Sequence, residues 1–171
     1  MSNHTSAWLQ NALVELELLK NKDYQIEISR LLDEQAYLMG WLFNLEEDFS
    51  EPVHDLIVKS SIALFRSLTE MGLFFQMIKP DHLEEAINTN IEAFESLEDS
   101  DEALTENAVI DQSSSPVALR SLYGFIDANT SDEDLPIEAR SNLLFVLTTV
   151  IDLFEEAATP EDPTNKKPTD A

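Results

Sequence analysis

Apolar residues recur at three- and four-residue spacing through most of this chain, the period of a helix with one buried face. Over residues 6–20 the stripe is Leu9, Ala12, Leu13, Leu16 and Leu19, with Trp8 at its margin. After a break at 21–23, residues 23–47 repeat it with Ile28, Leu31, Leu32, Leu38, Met39, Leu42 and Leu45, and Tyr37, Trp41 and Phe43 widen the apolar arc. A third run spans 50–79, with Ser50 at its N-cap and Pro52 in the first turn, where its missing N–H costs nothing. It carries two apolar stripes, one with Val53, Leu56, Ile57, Leu64, Leu68, Met71 and Phe75, the other with Ile62, Phe65 and Phe74, and is expected to organise the core.

Asp81 and Glu84 have capping-box spacing and open a fourth helix bearing Leu83, Ile87, Ile91, Phe94 and Leu97, whose stripe fails at Asp101. Ser115 caps a short fifth helix over 116–128, and a last one runs over 136–157 with Ile137, Leu144, Leu147, Ile151 and Phe154 near a heptad. Prolines sit at the edges of these runs. The three glycines, Gly40, Gly72 and Gly124, fall inside them, where a helix absorbs each at about 1 kcal/mol against alanine. This punctuation predicts helices only: an all-α antiparallel bundle of about five to seven helices. One domain is expected over 1–157, with an acidic connector at about 98–114. Residues 158–171 have no large apolar side chain to repay ordering and read as a disordered tail.

Charge changes this picture. Ten Lys+Arg stand against 34 Asp+Glu, a formal net of -24, while 43% hydrophobic residues still provide for a core. No basic cluster exists to release counterions from a phosphate backbone or an anionic bilayer, so neither nucleic acid nor membrane is an expected direct partner. A basic protein surface is. The sequence has no cysteine, which excludes disulfides and thiolate chemistry and fits a cytoplasmic location. Residues 1–10 lack a basic stretch followed by an apolar run, and no later stretch approaches a membrane span.

The negative charge is densest after residue 80. Glu85, Glu92, Glu95, Asp99, Glu102 and Glu106 are spaced so that one continuous helix would align them in an acidic stripe. Such a stripe imitates nucleic-acid charge or docks on a basic protein; its bland alternative is a solvated face followed by a loop. Glu51 and His54 have the i, i+3 spacing of carboxylate-bridged two-metal bundles, but the second pair that such a centre needs is missing. Asp99, Asp101, Glu102 and Glu106 lack the glycine and oxygen spacing of a calcium loop. Ser113, Ser114 and Ser115 have no nucleophile elbow and serve better as caps, and no glycine-rich phosphate loop occurs. No cofactor and no catalytic set is expected from these residues. The expected function is a non-enzymatic interaction, inhibitory or regulatory protein. The alternatives are a carboxylate/His metal protein or small helical enzyme, and a self-associating module dimerised through an apolar face of the last helix.

Overall fold

The computed structural model describes residues 3–98 and 105–162. It is an all-α bundle. Among the described residues eight α-helices occur: α1 Asn3–Leu18, α2 Asn21–Glu34, α3 Ala36–Asn44, α4 Glu51–Glu70, α5 Pro80–Glu98, α6 Glu106–Gln112, α7 Pro116–Ala128 and α8 Ile137–Ala157. A 3-10 turn, Leu45–Glu47, follows α3, and two short strands, β1 Phe74–Phe75 and β2 Ala158–Thr159, pair antiparallel.

The helix count exceeds five to seven for two physical reasons. The run expected over 23–47 breaks at Gln35, whose backbone leaves the helical region at φ -137, ψ 55. Its buried side chain then bonds the loop after β1, donating from Nε2 to the Gln76 carbonyl at 2.9 Å and accepting from the Ile78 N–H at 2.8 Å. The second addition is α6, in the expected acidic connector. Thr105 caps it by accepting the Ala108 N–H at 3.2 Å, and its Val109 and Ile110 are buried.

The third run also ends early. Gly72 is not inside a helix but has φ 87, the left-handed conformation that glycine adopts without strain. Around it the Gly72 N–H bonds the Thr69 carbonyl at 3.0 Å and the Leu73 N–H bonds that of Leu68 at 3.2 Å, the paired bonds of a Schellman motif. The chain thereby leaves α4 and enters β1. Phe75 meets Phe65 and Phe154 at ring separations of 5.0 and 5.6 Å, and Ala158 and Thr159, placed in the tail by sequence, supply the partner strand. Residues 163–171 lie outside the described residues.

The cap positions were legible but not their bonds. Ser50 and Ser115 stand at the N-caps of α4 and α7 without capping them; Ser50 Oγ donates to the Asp134 carbonyl and Ser115 Oγ to Glu155. Helix α5 starts at Pro80, one residue before the expected Asp81 cap.

Helices α4 and α8 share the centre. Helix α4 packs against α1, α7 and α8, while α8 also carries α5 and α6. Asn90 of α5 bonds Thr149 and Asp152, whereas Phe94, one turn on, meets Phe145 edge-on at 5.6 Å. As α5 advances its partners retreat along α8, so the two helices are antiparallel.

Candidate functional site

Helix α5 buries one face and exposes the other. Leu83, Ala86, Phe94 and Leu97 pack on the core, and Asn90 is buried against α8. On the opposite side Asp81, Glu84, Glu85, Glu92 and Glu95 are exposed, and Glu98 is exposed at the C-terminal end. Asp81, Glu84, Glu85 and Glu92 line one shallow surface hollow with Asn88 and Thr89.

No cation of the described residues meets these acids. Arg30 pairs with Glu34, Lys59 with Asp55, and Arg66 with Glu15, Glu27 and Glu70. Arg120 pairs with Asp111, and Arg140 with Glu106, Asp127 and Asp132. The five paired cations therefore serve carboxylates elsewhere, and among the described residues no cation, Lys79 just before α5 included, forms an ion pair with the outward acids of α5.

The stripe is not a single helical line. Glu85, Glu92 and Glu95 share α5, but Thr105 has extended backbone at φ -97, ψ 151, so Glu106 opens a separate helix. Asp99 and Glu102 lie outside the described residues. Glu106 faces Arg140 at 3.6 Å instead of continuing the row.

Arg140 is a hub. Its Nη1 donates to Tyr123 Oη at 3.0 Å and to Asp127 at 2.7 Å, and its Nη2 reaches Asp132 at 3.3 Å. One guanidinium thus joins α6, α7, the loop before α8 and α8 itself. Bonds to Tyr123 and Asp127 hold its pKa above the ordinary value, outweighing partial burial. Burial, helped by Glu106 and opposed by Arg140, pushes the Tyr123 phenol up to about 12. Beside the hub lies a groove of about 770 Å³, lined by Glu106, Asp132, Glu138 and Arg140 over Val109, Leu135 and Leu144. Sequence reasoning assigned no role to Arg140, Asp127, Asp132 or Glu138. The available signal was the isolation of Arg140, with only Arg120 between it and Lys79, because a lone cation in an acidic stretch attracts several carboxylates.

Glu51 and His54 border a second hollow with Tyr24, Phe43, Glu46 and Asp55. His54 Nε2 lies 2.8 Å from the Leu42 carbonyl, which only accepts, so Nε2 carries the proton and donates. That nitrogen ties α4 to α3 and is not free to bind a metal. Among the described residues no three His, Asp or Glu side chains converge as a metal centre would require. Ser114 Oγ donates to Asp152 at 2.9 Å and Glu155 at 3.2 Å, which fastens the segment before α7 to α8. Gly40, within the aromatic stretch of α3, has nothing within 4 Å of the position a Cβ would take, so no neighbouring helix approaches it closely.

Among the described residues no helix is long and apolar enough to cross a membrane. No protein-family model, no curated protein and no solved structure matches the chain.

Proposed function

We propose that this chain is a non-enzymatic interaction protein that docks on a basic protein surface through the outward face of α5, with Glu85, Glu92 and Glu95 at its centre. The observation behind this reading is the uncompensated charge of that face: its acids are exposed, while the paired cations serve carboxylates elsewhere. Aligned carboxylates on a rigid helix present negative charge at regular spacing, which attracts a cationic surface from a distance and suits a protein whose basic groove otherwise holds nucleic acid. The role is inhibitory or regulatory, by occupation of such a surface, and a chain without cysteine suits the reducing cytoplasm.

The test is affinity capture from the source organism with the wild-type chain and with the variant Glu85→Gln, Glu92→Gln, Glu95→Gln, each at ~0.1 M and ~1 M salt, where the Debye length falls from ~10 Å to ~3 Å. Glutamine keeps length and polarity, and Glu92 and Glu95 stand three residues apart, so their neutralisation relieves repulsion and folding survives. The expected result is basic proteins retained by the wild type at low salt, lost at high salt and absent from the variant. Identical retention by both chains would remove α5 as the docking face.

A further inference from the structure

The groove between α6 and the start of α8 offers chemistry that the face of α5 lacks. Its floor is apolar, with Val109, Leu135 and Leu144 buried, and Ile137 stands at its edge 82% exposed. Its walls are acidic, because Glu106, Asp132 and Glu138 line it against one guanidinium that is shared with Asp127. Arg140 pairs with Glu106 and Asp132 without neutralising the group. About 770 Å³ is enough room for a few side chains of a docked segment.

The groove is at the N-terminal end of α8, the end toward which α5 runs. Helices α5 and α8 are antiparallel, so the C-terminal end of α5, beyond Glu92 and Glu95, lies toward the start of α8.

We infer that this groove is the specificity pocket of the docking surface and receives a basic segment of the partner protein in which Lys or Arg residues flank one large apolar side chain. The inference rests on the reading of α5 as a docking face. Charge complementarity selects this occupant. An apolar segment alone would desolvate the carboxylates without compensation, and a purely cationic one would leave the exposed Ile137 side chain in contact with water.

Two synthetic peptides of equal charge test it: Lys-Lys-Leu-Lys-Lys and its analogue with serine in place of leucine. Binding is followed by amide NMR shifts of isotope-labelled protein. The leucine peptide is expected to move the amides of Val109, Ile137 and Ser141 and to bind roughly tenfold more tightly than the serine peptide, the gain from burying one leucine incompletely. In the variant Ile137→Ser, Glu138→Gln that difference should vanish; both side chains are exposed and make no hydrogen bond or ion pair among the described residues, and circular dichroism checks the fold. Equal affinity of the two peptides for the wild type, with shifts confined to α5, would overturn the groove and leave the α5 reading intact. Failure of both peptides to bind at low salt would overturn the α5 reading and the groove with it.

Discussion

Replacing Arg140 by methionine removes the guanidinium while keeping an apolar stem in its partly buried place. The largest loss is the hydrogen bond to Tyr123 Oη, 3.0 Å long and partly buried, at about 1.5 kcal/mol for a bond from a charged donor. The pair with Asp127, 2.7 Å apart with the acid 46% exposed, adds up to about 1 kcal/mol. Glu106 at 3.6 Å adds a few tenths, and fully exposed Asp132 adds nothing that need be counted. The expected destabilisation is about 2–3 kcal/mol, read as a lowered urea midpoint at unchanged slope. A double-mutant cycle with Tyr123→Phe should return a coupling of about 1 kcal/mol that persists at ~1 M salt, since a partly buried bond is screened less than an exposed ion pair. A loss below about 0.5 kcal/mol, or a coupling that disappears in salt, would refute the role of Arg140 as the clamp on α6 and α7.

The glycines should respond with opposite signs. Gly72→Ala forces alanine to φ 87 and should cost about 1 kcal/mol, whereas Gly40→Ala and Gly124→Ala, inside helices with open space at Cβ, should each stabilise by up to about 1 kcal/mol in the same urea assay. Tyr123 makes stability fall in alkali. In the folded chain it keeps its proton to about pH 12, above the ordinary value of 10.0, so its contribution is complete below pH 10.0 and is lost as pH rises toward 12. Chemical denaturation across that range should show a slope that Tyr123→Phe reduces; an unchanged slope would contradict the assignment.

Strongly periodic segments were legible because one apolar stripe per helix suffices to define them. Residues 116–128 and 136–157 were read almost to their ends, and α5 to within one residue of its start. What escaped was set by distant partners. Nothing local in the sequence around Gln35 marks a break; the break exists because its amide completes hydrogen bonds with a loop that follows α4. Gly72 looked like a tolerated helical glycine because Met71 and Phe75 continue the stripe, yet those apolar residues serve the turn and the ribbon with Ala158 and Thr159. The outward charge of α5 was visible in its spacing. The division of Glu106 from that row, and its capture by Arg140, depend on the extended backbone at Thr105 and on the approach of α8, which spacing alone does not contain.

The claim that α5 is a docking face is tested most directly by the association rate of a captured basic partner, measured by stopped flow for the wild type and for Glu85→Gln, Glu92→Gln, Glu95→Gln across ~0.1 to ~1 M salt. Electrostatic attraction acts mainly on encounter, so the wild-type rate should fall steeply with salt. The variant should be slower at low salt, nearly flat, and equal to the wild type at the high end, with little change in dissociation. Equal rates and equal salt slopes for the two chains would contradict the claim.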